Sequence, residues 1–245
     1  METVILNSEA SPDMGTHEGA LKPSVEAPLT GRPIEKCETA KGLAKIKEPG
    51  KELVIWQRTL PLSVARWIEQ LDTSDFPDLR ILVRPKDFKT AIEPHLDDCG
   101  MPAGLMRASL LSDIHDLVGG YADITECDRV DVRLESVRND ACWKYHRDSV
   151  DTRLLTTYHG PTTEWVLPRY GEQALRDQRN YTGPAESLGL HEVAVFKGSR
   201  AGSGDGLVHR SPPIAGTGLT RLLLCLNERS TASPEPWREG QQHRI

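Results

Sequence analysis

The sequence predicts an α+β fold in which helices come first and a β-sandwich or barrel fills the carboxyl half. Two observations carry this expectation. Apolar residues recur at helical spacing between about 59 and 120, and after residue 128 they alternate with polar ones as strands require. The later segments are also separated by Gly- and Pro-rich turns, the punctuation of an all-β region.

Taken in order, residues 1–48 contain no Phe, Trp or Tyr and are rich in Pro, Glu, Lys, Thr and Gly. Such a segment buries too little apolar surface to offset the entropy of ordering it, so a flexible tail is expected, or an arm that wraps the domain without a core of its own. A single domain is expected over 49–228. LeuValIleTrp at 53–56 reads as a short buried strand. Thr59 offers an N-cap for a helix carrying Leu60, Val64, Trp67, Ile68 and Leu71 at helical spacing. A second helix over about 103–118 has the stripe Met106, Leu110, Ile114, Leu117 and Val118, with Gly119 and Gly120 as its stop. From 128 to 228 strands are expected at Val130–Leu134, 152–158, 164–166, 192–197 and 219–227. The run from Ser230 to Trp237 and the polar residues after it read as a loose tail over 229–245.

A net charge of −6 and a pI near 5.8 argue against non-specific binding to nucleic acid or anionic membranes. No apolar run approaches the roughly 18 residues of a membrane span, and the first residues do not resemble a secretory signal. The five cysteines include no CxxC pair or zinc-finger spacing. Free thiols, most of them buried, in a reducing cytoplasm are the expectation.

The chemistry centres on TrpLysTyrHisArgAsp at 143–148. Along a strand, residues two apart share a face, so His146 and Asp148 project together while Arg147 points away. An imidazole nitrogen and a carboxylate oxygen can then meet one divalent ion, with His209 as the leading third ligand. Two His and a carboxylate leave three metal positions open, an arrangement suited to Fe(II) oxygen chemistry. Arg221 stands on an otherwise apolar strand, sharing a face with Leu223 and Cys225 while Leu222, Leu224 and Leu226 line the other. Burying it unpaired costs several kcal/mol, so it should face an anion, and its planar fork suits a carboxylate.

HxD, a distal His after a strand and an Arg on the next strand together resemble the 2-oxoglutarate/Fe(II)-dependent dioxygenases over about 128–228. The segments CysTrpLysTyrHisArgAsp, GlyProThrThrGluTrpVal and ValHisArgSerProPro also resemble a bacterial domain-of-unknown-function family. The dioxygenase resemblance implies a double-stranded β-helix (jelly-roll or cupin-like) in the carboxyl half; the amino-terminal helices, which the resemblance does not reach, are expected to pack against it. It implies His146, Asp148 and His209 as Fe(II) ligands, Arg221 as the clamp for the distal carboxylate of 2-oxoglutarate, and Tyr158 as a second group on that carboxylate. The reaction implied is hydroxylation or demethylation of a small-molecule or protein substrate that the resemblance does not name. The Gly-rich loop before His209 departs from the pattern.

Other readings stand beside these. The same site also suits zinc or another divalent ion in a non-catalytic, cupin-like binding protein, and a degenerate site in an interaction module is a third possibility. Arg221 has a structural alternative, an ion pair with Glu135 or Asp131; Tyr158 has one as a core tyrosine; His159 and His191 compete with His209; and Trp143 and Trp165 read as barrel packing. HisArgAsp is not a kinase catalytic loop, because Arg153 stands where the metal-binding Asn belongs. The Gly-rich loop at 202–206 lacks the Lys-Ser/Thr pair of a phosphate loop, and there is no GxSxG elbow.

Overall fold

Residues 32–202 and 205–240 are described by the computed structural model, and their fold is α+β. Strands β1 (Ile34–Cys37), β2 (Leu53–Trp56) and β3 (Leu79–Val83) share the amino-terminal half with helices α1 (Leu62–Gln70), α2 (Phe88–Asp98) and α3 (Leu105–Thr125). There follow β4 (Val130–Val137), β5 (Thr152–His159), β6 (Glu164–Trp165), α4 (Pro168–Asp177), β7 (Glu186–Ser187), β8 (Val193–Lys197), β9 (His209–Arg210) and β10 (Arg221–Glu228).

Among the described residues, seven strands form one sheet in the order β1-β2-β8-β5-β10-β4-β3, and three form a second in the order β7-β6-β9. The first is antiparallel except between β1 and β2. From β4 onward the chain passes back and forth between sheets. β4, β5, β8 and β10 lie in the large one; β6, β7, β9 and a bridge at His146 lie in the small one.

Strand alternation sorts the side chains into layers. Leu222, Leu224 and Leu226 of β10, with Val130, Val132 and Leu134 of β4, bury against Val64 and Ile68 of α1, Ile92 of α2 and Ile114 and Val118 of α3. The opposite parity, Leu155, Ala194, Phe196, Leu223 and Cys225, forms a second core between the sheets with Trp165 and Leu207. Outside the small sheet, Val166 and Val208 pack on Ala174 of α4. The large sheet therefore has helices on one face and the small sheet on the other.

Several boundaries differ from expectation. Residues 34–47 are not a tail: β1 pairs with β2, and a 3-10 helix over Ala40–Lys47 puts Leu43 and Ile46 into the main core at 3% and 2% exposure. Burying two branched aliphatic side chains supplies what the absent aromatics do not. Residues 1–31 and 241–245, the remainder of the two expected tails, lie outside the described residues. Ile46→Ala is expected to cost about 2–5 kcal/mol in chemical denaturation. A cost near zero would return the segment to the status of a loose arm.

The carboxyl-terminal run is likewise attached. Leu82 bridges Pro236, the Trp237 amide donates to the Leu82 carbonyl at 2.8 Å, and Ser233 Oγ donates to Asp131 at 2.7 Å. Helix α3 passes through Gly119 and Gly120 and ends at Thr125, where Glu126 takes a left-handed conformation at φ 57°. Two helical glycines cost about 1 kcal/mol each. Burial of Tyr121 and Ala122, and the Tyr121 hydroxyl donating to the Thr152 carbonyl at 2.8 Å, offset that cost. Helices are also not confined to 59–120, since α4 lies within the strand region. Of the five free thiols only Cys225 is buried; Cys142 is exposed and the other three are half-buried. No described helix is long and apolar enough to cross a membrane.

Candidate metal centre

The segment after β4 brings His146 beside β9, and the two histidines exchange both backbone hydrogen bonds. The His146 amide donates to the His209 carbonyl at 3.0 Å, and the His209 amide returns one to His146 at 3.1 Å. Paired residues project to the same side, so both rings turn inward, 4.5 Å apart between centroids. Neighbours of opposite parity turn out: Tyr145 and Val208 join the α4 core, and Arg147 donates to Glu172 on α4 at 2.6 Å.

Asp148 is fixed through its main chain. Its carbonyl accepts from the Ser199 amide at 2.8 Å and the Ser199 hydroxyl at 3.1 Å. That contact requires Gly198, where a Cβ would stand 2.6 Å from the Asp148 carbonyl oxygen and 2.3 Å from that of Val150. Both obstacles are backbone and cannot swing aside. Gly198→Ala is therefore expected to destabilise by about 1–3 kcal/mol and to loosen any metal held by Asp148. Thermal melts and metal titration of the variant check both, and wild-type values in each would show that the turn relaxes freely.

Ligand-capable atoms of His146, Asp148 and His209 all lie within 4.8 Å of one another. Asp148 Oδ1 is 3.5 Å from His146 Nε2, and Oδ2 is 3.3 Å from His209 Nε2. Each imidazole directs Nδ1 to a carbonyl, His146 to Lys144 at 2.8 Å and His209 to Leu207 at 3.2 Å. The carbonyl partner keeps a proton on Nδ1, so Nε2 is the nitrogen that in the imidazolium donates to the carboxylate and in the neutral ring is free to bind an ion, the outer-shell arrangement of metal-binding histidines. Burial works to raise the Asp148 pKa, but hydrogen bonds from both histidines outweigh it and hold the carboxyl well below the ordinary range. Burial likewise opposes charge on His146, yet its bonds to Asp148 and Lys144 leave its pKa raised. The donor set, two neutral nitrogens and one anionic oxygen on one face, fits a first-row divalent ion.

Arg221 is 0% exposed on the cavity-facing parity of β10. Its Nη1 donates to Ser211 Oγ at 2.6 Å and Nη2 to Thr163 Oγ1 at 3.2 Å, while buried Nε has no acceptor. Burial draws its pKa down from 12.5 to about 10. The alternative partners are engaged elsewhere: Asp131 pairs with Arg80 at 2.6 Å, and Glu135 with Arg133. Ser211 and Thr163 line a cavity of about 120 Å³ together with His146 and His209, so the buried guanidinium stands one hydrogen bond behind the wall of a space that two residues of the triad bound.

Tyr158 is not brought to that space. It shares the parity of Leu154, lies in the helix-side core, and donates its hydroxyl to Asp113 of α3 at 2.6 Å. Asp113 also pairs with Arg58, so the tyrosine serves a buried network on the far side of the sheet. His159 packs edge-on against Phe76, and His191 Nε2 lies 3.2 Å from the Tyr158 carbonyl. Trp165 is core between the sheets, whereas Trp143 lies under the Arg179 guanidinium at 4.2 Å. Part of the Gly-rich loop, residues 203 and 204, lies outside the described residues.

Residues 37–227 match the family described as Protein of unknown function (DUF1826), and the chain belongs to it. No curated protein matches the chain. Among solved structures it is similar to the dioxygenase for auxin oxidation 1 from Arabidopsis thaliana in a 2-oxoglutarate complex, at 13% identity, covering 83% of this chain and 95% of that one with a TM-score of 0.47. It is also similar to AviO1 from Streptomyces viridochromogenes Tue57, at 15% identity, 82% and 99% coverage and a TM-score of 0.38. A third is the Kdo hydroxylase KdoO, a non-heme Fe(II) α-ketoglutarate-dependent dioxygenase solved with cobalt(II), at 13% identity, 81% and 90% coverage and a TM-score of 0.38.

Proposed function

We propose that this chain is an Fe(II)- and 2-oxoglutarate-dependent oxygenase that hydroxylates or demethylates its substrate. The observation that carries the reading is one cavity lined by His146 and His209 of the convergent triad and by Ser211 and Thr163, behind which stands a buried guanidinium with an unused Nε–H. The passage of strands between two sheets from β4 to β10 supports a double-stranded β-helix, its amino-terminal helices backing the larger sheet.

In this reading His146, Asp148 and His209 hold the iron, which with bound 2-oxoglutarate supplies oxidation by dioxygen coupled to loss of carbon dioxide from the co-substrate. Arg221 receives the distal carboxylate, and Ser211 and Thr163, already bonded to its guanidinium, flank that end of the cavity. Leu155, Leu223 and Cys225 form one apolar wall of the space, beside which a charge-assisted contact is less screened than in water. The two Nδ1–H···O=C bonds hold both imidazoles in the tautomer that offers Nε2.

Anaerobic titration with Fe(II) followed by 2-oxoglutarate tests the reading. A visible charge-transfer band, and succinate after admission of oxygen, are expected. Tightly bound zinc with no band and no succinate would replace the oxygenase with a metal-binding protein.

A further inference from the structure

We infer that Arg153 is a positioning residue for the metal centre, holding one oxygen of Asp148 so that the carboxylate offers the ion a single oxygen. The inference rests on the metal reading of the triad and concerns how that triad is kept in shape.

Arg153 stands near the start of β5 and donates from Nη1 to Asp148 Oδ2 at 2.5 Å. Its Nε donates to Asn227 Oδ1 on β10, at 2.7 Å. The rigid fork is therefore anchored to the large sheet at one point and grips the ligand at another, a geometry that a lysine cannot reproduce. Both charged partners are removed from solvent, with side-chain exposures of 17% for Arg153 and 8% for Asp148. An ion pair at that depth is not the exposed kind that contributes little. A carboxylate free to rotate can chelate an ion with both oxygens and consume a coordination position. Oδ2, held by Arg153, also lies 3.3 Å from His209 Nε2, while Oδ1 makes no bond to Arg153 and stands on the side of His146 Nε2 at 3.5 Å. Arg153 also lines, together with Arg133, both the cavity of about 120 Å³ and a neighbouring groove of about 400 Å³, so the two arginines stand between these spaces.

A purely structural role would tie β5 to the 148–151 turn and nothing more. Removing it would lower Tm without altering the coordination of metal in the folded protein. The two roles separate with Co(II) as probe, because its visible bands report coordination number and geometry. Wild-type protein, Arg153→Gln, Arg153→Lys and Asn227→Ala are each loaded with Co(II), and affinity is measured by chelator competition. Arg153→Gln is expected to weaken Co(II) binding about tenfold or more, as loss of outer-shell partners does, and to change the intensity of the visible bands. Arg153→Lys is expected to recover part of the affinity, and Asn227→Ala to show a smaller change in the same direction. Wild-type affinity and spectrum in folded Arg153→Gln overturn the inference. If that variant does not fold, Asn227→Ala decides: it leaves the charge and removes the anchor, and an unchanged spectrum and affinity overturn the inference equally. Wild-type protein that binds no Co(II) overturns the metal reading itself, an outcome distinct from a bound metal indifferent to Arg153.

Discussion

His209→Ala is expected to abolish stoichiometric metal binding, and His146→Ala to do the same, whereas His159→Ala and His191→Ala leave it intact. Two remaining protein donors are too few to hold a first-row ion tightly. The removed imidazole also leaves the Asp148 carboxylate facing one histidine instead of two. His159 and His191 serve as controls because their rings contact Phe76 and the Tyr158 carbonyl. Elemental analysis of protein purified without chelators or an affinity tag is the measurement. Undiminished metal in His209→Ala would move the centre elsewhere.

The second large effect concerns Arg221. Arg221→Lys is expected to keep its metal yet weaken 2-oxoglutarate binding tenfold or more, since losing a charge-assisted bidentate contact costs about 2–5 kcal/mol. Lysine keeps the charge and removes both the planar fork and the unused Nε–H. Calorimetric titration of anaerobic Mn(II)-loaded protein with 2-oxoglutarate gives the comparison. Equal affinity in variant and wild type would place the co-substrate away from Arg221; no binding by wild type at millimolar ligand would remove the oxygenase reading altogether.

The elements most legible in the sequence were those long enough to show a period. Val130 to Leu134 alternate in polarity over enough residues to assign both faces of β4, whereas 222–226 are apolar throughout, so strand parity alone put Arg221 on one face with Leu223 and Cys225. His146 and Asp148 were legible for the same reason, because a spacing of two puts both on one side. β6, β7 and β9 have two residues each, too few to carry a period, so the pairing of His146 with His209 had no local signature. Leu43 and Ile46 are spaced by three in a 3-10 helix, too short to make a stripe. Helix α4 is short and mostly polar, and its inner face of Tyr170, Gly171, Ala174 and Leu175 spans too few turns to stand out as an apolar stripe. The co-substrate role of Tyr158 came from the resemblance alone, and the strand's parity agrees with the core-tyrosine alternative: Leu155 faces the cavity and Leu154 the helices, and 158 follows 154. Arg153 was hidden because its grip on Asp148 depends on how the turn at 148–151 folds back onto β5, which no spacing encodes.

The attachment of residues 233–237 also bears on how one molecule meets another. A terminal strand with bare amides and carbonyls is a template on which a second sheet can grow. Here the end of the large sheet at β3 is met by the chain's own backbone, through Pro236 beside Leu82 and the Trp237 amide on the Leu82 carbonyl. Proline has no amide hydrogen to pass the ladder on, so the strap ends it as well as covering it. At the opposite end β1 presents Glu35, ion-paired with Lys45 and Lys51, and charge on an edge strand discourages docking of another. The two ends of one sheet thus carry different stoppers against polymerisation, one made of backbone and one of charge.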